Sequence, residues 1–142
     1  MILERLINQL KHDEGFRAFP YTDTVGVHTI GYGTTHVDGS KVNENWCPIT
    51  KDVAENWLFL NLADSIRIAK RFVNNFSKLD HEKQESLVNM AYQLGNRLNQ
   101  FKKAKQAIES NLWDMAYREL LNSKWAKQTP KRANRVAEKF LL

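Results

Sequence analysis

The chain of 142 residues has the length of a single domain, and its 42% hydrophobic and 26% charged residues exclude a disordered or fibrous protein. The formal net charge of +5 is unevenly distributed, because residues 97–142 carry 11 Lys and Arg against 4 Asp and Glu. We expect this basic segment either to attract a polyanion (nucleic acid, an anionic membrane or a cell-wall polymer) or to be a solvated surface. The single cysteine, Cys47, excludes an internal disulfide and is interpreted as a packed or incidental thiol.

The first predicted element is a helix that places Leu3, Leu6, Ile7 and Leu10 on one face and ends near Gly15. Charged residues interrupt this opening stretch, MILERLINQLKHDEG, which therefore lacks the apolar core of a signal peptide. No other stretch reaches the length of an apolar membrane span. We expect a protein with no export signal of its own.

A change of composition after the first helix predicts β structure. Residues 16–32 are rich in aromatic and β-branched side chains, which is typical of strands. The sequence TDTVG at residues 22–26 supplies a turn, so we predict a hairpin with Thr29 on the returning strand. Residues 34–49 are rich in Gly, Asn, Asp and Ser, and are predicted to form a third short strand and a loop.

Helical spacing of apolar residues dominates the remainder of the chain. The predicted helices run for about 20 residues from a cap at Thr50, from Asp80 to a stop at Gly95, over residues 104–108, over residues 112–121, and from a cap at Thr129 and Pro130 to the end of the chain. The pattern predicts an α+β fold that is mostly helical. We expect one domain over residues 1–142, in which a small β-rich lobe at 13–55 accompanies a helical lobe at 1–12 and 56–142.

Two carboxyl groups in the β-rich region have contrasting predicted surroundings. Glu14 is expected at the C-terminal end of the first helix, where the peptide dipoles and partial burial disfavour ionisation. Asp23 lies in a polar turn open to water, where a carboxylate is expected to stay ionised. Glycoside hydrolysis needs such a pair, one acid to protonate the leaving oxygen and one carboxylate to activate water or attack the sugar. Taken alone, however, acids at helix ends and turns more often have a structural role.

The order and spacing of these residues carry a more specific signal. The segments DEGFR and YTDTVGVHTIGYG separate Glu14, Asp23 and Thr29 by nine and then six positions. This pattern resembles the Glu, Asp, Thr triad of the phage lysozymes of the T-even type. The resemblance continues in family order over most of the chain, through three further segments: PITKDVAE at 48–55, SLVNMAYQLG at 86–95 and NLWDMAYRELLNSKWAKQTPKRANRV at 111–136.

The resemblance implies a lysozyme fold, in which a small β-rich lobe is joined by a long helix to a helical lobe and the active-site cleft lies between them. It implies that Glu14 is the general acid, that Asp23 is the general base and that Thr29 positions the water. The implied reaction is inverting hydrolysis of the β-1,4 bond between N-acetylmuramic acid and N-acetylglucosamine in bacterial peptidoglycan. No cofactor is implied.

The resemblance also assigns residues outside the triad. Gln93 matches a glutamine that faces the cleft, and Arg132 matches a basic residue near the acid, so both are expected to bind substrate. Asp13 is expected to form an ion pair with Arg135 that ties the last helix to the first. For both arginines a solvated helix face remains the alternative, because long charged side chains often do only that.

Two departures from the family pattern affect what can be transferred. Thr34 stands where the family usually has a histidine that supports stability, so the chemistry is expected to survive the change. Residues 34–49 leave little room for the extra helix of the T-even members. This loop is more similar to that of lysozymes from P22-type lambdoid phages, and substrate reach on this side of the cleft is therefore the least transferable property.

The resemblance implies a phage-encoded enzyme for host cell lysis. We expect a monomer that accumulates in the host cytoplasm, depends on a membrane-permeabilising holin, and acts on the cell wall in the periplasm. The basic segment would then be attracted to the anionic cell envelope. No nucleic-acid partner is expected.

Two other functions compete with this hypothesis. A basic helical module that binds nucleic acid would explain the charge, but it leaves Glu14, Asp23 and Thr29 without a role and lacks an evident recognition helix. A lytic transglycosylase needs only the acid, so the presence of Asp23 with Thr29 argues against it. A metal site is not expected, because no two histidines stand four apart on one helix and only one cysteine is present. Among the tryptophans, three are expected in the core: Trp57, Trp113 and Trp125.

Overall fold

The computed structural model describes all residues from 1 to 142 and confirms a mostly helical α+β fold. Contacts within the chain divide it into two compact units. Residues 3–63 form the first, here called the β unit, and residues 1–2 with 64–142 form the second, called the helical unit. The lobe boundaries predicted at 13–55 and 56–142 stay a prediction. None of the helices combines the length and apolar character that crossing a membrane requires.

The β unit contains one helix, four short strands and the first part of a long helix. Its elements are α1 (Leu3–Glu14), β1 (Arg17–Thr22), β2 (His28–Gly31), β3 (His36–Val37), β4 (Ser40–Lys41) and α2 (Lys51–Phe72), of which α2 continues into the helical unit. Helix α1 buries Leu6 and Leu10, as its apolar spacing predicts. It ends at Glu14 because Gly15 adopts a φ of 67°, which turns the following chain out of the helix, while the Gly15 N–H still bonds to the Lys11 carbonyl at 2.9 Å.

Strands β1 and β2 form the predicted antiparallel hairpin, and Thr29 lies on the returning strand as expected. Thr29 is the cross-strand partner of Tyr21. The pairing is irregular between Arg17 and Tyr21, and there the Ile49 N–H bonds to the Ala18 carbonyl at 3.0 Å. The chain that precedes α2 therefore closes against the irregular part of β1.

Residues 36–41 differ from the prediction of a single third strand, because they form a hairpin of their own from β3 and β4. The turn consists of Asp38 and Gly39, with φ values of 49° and 79°. Positive φ at both central residues is the geometry of a two-residue hairpin turn, which the dipeptide Asp-Gly favours. The Asp-Gly dipeptide is therefore a local signal from which this second hairpin could have been predicted.

The helical unit contains the end of α2, five further α-helices and three short 3₁₀ segments. The helices are α3 (His81–Leu94), α4 (Lys102–Glu109), α5 (Trp113–Leu121), α6 (Lys124–Gln128) and α7 (Pro130–Glu138), and the 3₁₀ segments are Phe76–Lys78, Gly95–Gln100 and Lys139–Leu141. Helix α3 begins after Asp80 as predicted, and the Asp80 carboxylate caps it by accepting a bond from the Lys83 N–H at 2.9 Å. Its C-cap is Gly95, with a φ of 58°.

Helix α3 supplies much of the core of the helical unit, because most of its residues from Lys83 to Ala91 are buried. The fully buried large side chains of this unit are Phe72, Val73, Leu87, Met90, Leu98, Ile108, Leu120 and Phe140. They come from several helices, so the apolar faces predicted from helical spacing meet in one core.

Two details near the end of the chain correct the sequence prediction. Helix α6 lies between the two predicted helices and was missed because it has only 5 residues. Thr129 occupies the N-cap position of α7, but the prediction of a capping side chain is wrong. Its Oγ1 instead donates to the Trp125 carbonyl at 3.2 Å, which belongs to the preceding helix.

The tryptophans and the cysteine lie in three kinds of surroundings. Trp125 is buried as predicted, whereas Trp57 and Trp113 are only half-buried. Trp57 packs edge-on against Trp46, with ring centroids 6.1 Å apart. Cys47 is exposed and free, so the prediction of a packed thiol is wrong and the incidental thiol remains.

Candidate active site

All three residues of the predicted triad belong to the β unit. Glu14 is the last residue of α1 and is half-buried. Its side chain lies directly against the backbone of Gly33, since a Cβ placed on Gly33 would be 2.7 Å from the carboxyl carbon of Glu14. Gly33 also has a φ of 73°, which favours glycine. The glycine that follows β2 therefore leaves the space that the Glu14 carboxyl group occupies.

Asp23 begins the turn between β1 and β2 and is held by that turn. Its Oδ1 accepts hydrogen bonds from the Val25 N–H at 3.0 Å and from the Val27 N–H at 2.8 Å. Its own backbone N–H bonds to the Val27 carbonyl at 2.9 Å. These bonds orient the carboxyl group through one oxygen, and Oδ2 takes part in none of them.

Thr29 is buried, with 3% of its surface exposed, and its hydroxyl is oriented by the backbone. Oγ1 donates to the Val27 carbonyl at 2.9 Å. A threonine hydroxyl has one hydrogen to donate and two lone pairs that accept, so this bond leaves the accepting side of Oγ1 for another partner. The peptide groups of Val27 thus hold both Asp23 and Thr29.

Tyr21 is a neighbour of the triad that no sequence motif indicated. It lies opposite Thr29 across the hairpin, and the Arg17 guanidinium stands 4.6 Å from its ring centroid. Burial raises the pKa of Tyr21, the charges of Glu14 and Asp23 raise it further, and Arg17 opposes them. The phenol is therefore neutral at pH 7, and it lies close enough to both carboxyl groups to interact with their charges. Its pairing with Thr29 follows from the register of the hairpin, which composition and periodicity do not give.

Lys11 stabilises the end of α1 that carries Glu14. Its Nζ lies 2.6 Å from Glu55 Oε2 on α2, in a contact that is partly buried. The same Nζ stands 5.7 Å from the ring centroid of Tyr32, the residue before Gly33. Lys11 thus links α1 to α2 and to the segment that contacts Glu14.

Gln93 and Arg132 belong to the helical unit, and neighbouring side chains hold both. Gln93 Oε1 accepts from Trp125 Nε1 at 2.8 Å, and Gln93 Nε2 donates to Thr129 Oγ1 at 3.3 Å. Arg132 Nε donates to Asn89 Oδ1 at 2.9 Å. Their predicted contact with substrate stays a prediction.

Asp13 and Arg135, the predicted ion pair, lie in α1 and α7. Asp13 accepts a bond from Gln9 Nε2 at 3.0 Å, one turn earlier on the same helix. The ion pair itself stays a prediction.

Thr34, which replaces the histidine usual in the family, is completely buried. Its backbone exchanges two hydrogen bonds of 2.9 Å with Ile30, and its Oγ1 accepts from Asn61 Nδ2 at 3.2 Å. Thr34 therefore joins the end of the hairpin to α2 and has a structural role.

The comparisons with known proteins agree on one family. The sequence matches the family described as phage lysozyme over residues 11–138. "Probable T4-type lysozyme 2" of Dictyostelium discoideum is 32% identical over 161 aligned residues, covering 98% of this chain and 95% of the relative. "Probable T4-type lysozyme 1" of the same organism is 32% identical, covering 91% of this chain and 89% of the relative.

A third relative is a much longer protein. The "Pre-baseplate central spike protein Gp5" of Enterobacteria phage T4 is 28% identical over 156 aligned residues, which cover 92% of this chain but 26% of that protein. The family match spans most of the chain and includes Glu14, Asp23 and Thr29. The chain therefore belongs to the phage lysozyme family and is a glycoside hydrolase of the lysozyme type.

Proposed function

We propose that this chain cuts the β-1,4 bond between N-acetylmuramic acid and N-acetylglucosamine in bacterial peptidoglycan, with Glu14 as general acid and Asp23 as general base. One observation carries the proposal. The peptide groups of Val27 hold both Asp23 and Thr29, in the same compact unit as Glu14. Gln93 and Arg132 are proposed as substrate contacts on the basis of the family resemblance.

Thr29 is proposed to hold the attacking water. Because its hydroxyl hydrogen is donated to the Val27 carbonyl, Oγ1 accepts a hydrogen from the water. Asp23 Oδ2, which accepts none of the turn's hydrogen bonds, accepts the other. Both hydrogens of the water are then engaged, and a lone pair of its oxygen is directed at the sugar carbon. As the new C–O bond forms, the water proton passes to Asp23.

Glu14 is proposed to donate its proton to the glycosidic oxygen as the C–O bond breaks, so that the leaving sugar departs as a neutral alcohol. Its contact with the Gly33 backbone limits where the carboxyl group can lie. The end of α1 is held in turn by the ion pair between Lys11 and Glu55. Both features support a proton donor of defined position.

Activation of a water by Asp23 would invert the configuration at the sugar carbon. Inverting glycosidases hold their two carboxyl groups about 6.5–9.5 Å apart, and retaining ones about 5–5.5 Å apart. Rapid NMR of the first product is expected to show inversion. A retained product, or a sugar bound covalently to Asp23, would identify Asp23 as a nucleophile and contradict the role of Thr29.

We further propose that the protein is a phage enzyme for host lysis. It would accumulate as a monomer in the host cytoplasm, reach the periplasm once a holin has opened the inner membrane, and be attracted to the anionic envelope by its basic segment. The family match supports this role, and the charge of residues 97–142 supports the attraction.

The proposal is tested by a turbidity assay on chloroform-treated Gram-negative cells. Glu14→Gln is expected to lower the lysis rate by about 10²–10⁴-fold, because an amide has no acidic proton to donate. Glu4→Gln, which changes an exposed glutamate of the same helix, is the matched control and is expected to lyse normally. A Glu14→Gln rate within about tenfold of the unmodified enzyme would contradict the role of Glu14.

A further inference from the structure

Tyr21 lies beside the proposed water site, on the same face of the first hairpin. It is the cross-strand partner of Thr29. Residues directly opposite each other in an antiparallel pair project from the same face, with Cβ atoms about 4.5–5.5 Å apart. The phenol ring therefore extends next to the threonine that is proposed to hold the attacking water. A sugar positioned for attack by this water would lie close to the ring.

Arg17 holds the ring of Tyr21 in place. Its guanidinium group stands 4.6 Å from the ring centroid, which is within the distance of a cation–π contact. The contact uses the face of the ring and leaves the hydroxyl at the end of the side chain accessible. Tyr21 thus carries a polar group on a ring whose orientation is restricted before any substrate binds.

The hydroxyl of Tyr21 is available for a hydrogen bond with a ligand. The side chain is half-buried, and none of the hydrogen bonds within the chain uses its hydroxyl. Burial and the charge of Glu14 raise the pKa of the phenol, Arg17 lowers it, and Asp23 raises it. The resulting pKa lies above the ordinary value of 10.0, so the hydroxyl keeps its hydrogen at neutral pH. A neutral phenol can donate this hydrogen to an oxygen acceptor.

The position next to the triad determines which acceptor the hydroxyl can meet. An enzyme of the lysozyme type acts on a glycan. The groups around the bond to be cut are then sugar hydroxyls, ring oxygens and acetamido carbonyls, all of which are neutral acceptors. A tyrosine suits such a ligand, because its apolar ring can contact the carbon atoms of a sugar while its hydroxyl bonds an oxygen.

We propose that Tyr21 is a further substrate-binding residue, whose hydroxyl donates a hydrogen bond to a neutral oxygen of the sugar beside Thr29 while Arg17 holds the ring. The inference rests on the proposed function. The accepting oxygen is not a reacting atom, so the hydrogen bond has the same strength before and during the reaction. Loss of the hydroxyl should therefore raise KM and leave kcat nearly unchanged.

The first test measures binding in the full-length Glu14→Gln variant, in which hydrolysis does not interfere. The probe is a peptidoglycan tetrasaccharide of two disaccharide units, added to protein in which the 4 tyrosines carry ¹³C. We expect the NMR signal of Tyr21 to shift as the probe is added. The signal of Tyr117, a half-buried tyrosine of α5, is expected to stay unchanged.

The same titration compares two matched substitutions, each of which removes one phenol hydroxyl in the Glu14→Gln background. Tyr21→Phe is expected to weaken binding roughly 3- to 10-fold, which is the usual effect of one neutral hydrogen bond. Tyr117→Phe is the control and is expected to leave the affinity unchanged.

The second test follows hydrolysis of the tetrasaccharide by enzymes that retain Glu14. Tyr21→Phe is expected to raise KM by the factor found for binding, with kcat unchanged. Arg17→Gln is expected to raise KM less. Adding Tyr21→Phe to Arg17→Gln should cost less than Tyr21→Phe alone, because both substitutions act on one contact.

A Tyr21 signal that does not shift, or an affinity unchanged in Tyr21→Phe, would overturn the proposal. A lower kcat with unchanged KM would also overturn it, because the hydroxyl would then act on Glu14 or Asp23 and not on the sugar. Should Tyr21→Phe not fold, the Tyr21 signal of the Glu14→Gln protein, assigned by through-bond NMR, decides alone. Hydrolysis retained by Glu14→Gln would contradict the proposed function, whereas an unshifted Tyr21 signal in an inactive Glu14→Gln protein would contradict only the role of Tyr21.

Discussion

Replacing Gly33 by alanine tests whether the backbone beside Glu14 positions the acid. The added Cβ would lie 2.7 Å from the Glu14 carboxyl carbon and 3.0 Å from its Cγ, closer than atoms of the two residues can approach. The carboxyl group must therefore move. Because displacement of a catalytic group by about 1 Å can cost about 10²-fold in rate, we expect Gly33→Ala to lower the lysis rate by about that factor.

The matched control is Gly39→Ala in the second hairpin. Gly39 has a φ of 79°, close to the 73° of Gly33, but a Cβ placed on it meets nothing within 4 Å. Both variants carry the strain of a left-handed alanine, about 1–2 kcal/mol. For a chain of this size each kcal/mol lowers Tm by about 2–4 °C. Thermal denaturation should therefore show similar losses of stability, while the turbidity assay separates the two variants.

Equal lysis rates for folded Gly33→Ala and Gly39→Ala would refute a role for the Gly33 backbone in positioning Glu14. A Tm loss in Gly33→Ala far larger than in Gly39→Ala, with the residual activity tracking the folded fraction, would also refute it. In that case the contact with Glu14 would serve stability alone.

Thr29→Val removes the hydroxyl and is expected to lower hydrolysis by about 10²-fold, whereas Thr29→Ser should retain most of it. Equal rates for the two variants would contradict a role in holding water. Lysis of whole cells is expected to fall as salt rises, because charge attraction is screened over about 8 Å at physiological ionic strength. Turbidity assays should show the same loss when charge is reversed at three exposed lysines, Lys124, Lys127 and Lys131, and a flat salt profile would exclude the attraction. Asp80 contributes stability above pH 3.8 that is lost as pH falls through its lowered pKa. Asp80→Asn keeps a side chain that can cap α3 but loses the negative charge that bonds to Lys83. Urea denaturation should therefore show a smaller free energy of unfolding at neutral pH and a weaker decrease of that free energy as the pH falls. An unchanged decrease at acid pH would contradict the prediction.

Local sequence signals determined the elements and the order of the triad. Gly15 ends α1 directly after Glu14, and the turn at residues 22–26 places Asp23 and Thr29 on either side of one hairpin. These are properties of a few neighbouring residues: glycine tolerates positive φ, and an aspartate side chain can bond the backbone just beyond it. They can therefore be predicted without knowledge of the tertiary structure.

The surroundings of the triad were decided by contacts between residues distant in sequence. The approach of Gly33 to Glu14 depends on how the hairpin packs against the end of α1, and the pairing of Tyr21 with Thr29 depends on a strand register that is irregular after Arg17. A register shift moves a side chain to the opposite face without any change of composition. Periodicity alone therefore could not identify Tyr21.

The helical unit shows the same division between local and tertiary causes. Asp80 and Gly95 bound α3 through local capping, and both were predicted. The role of the Thr129 side chain was not predicted, because its hydroxyl donates to the Trp125 carbonyl and accepts from Gln93, which lies on a different helix. Likewise, Lys83 is a charged residue of α3, and only the tertiary structure shows which acceptors stabilise its buried ammonium group.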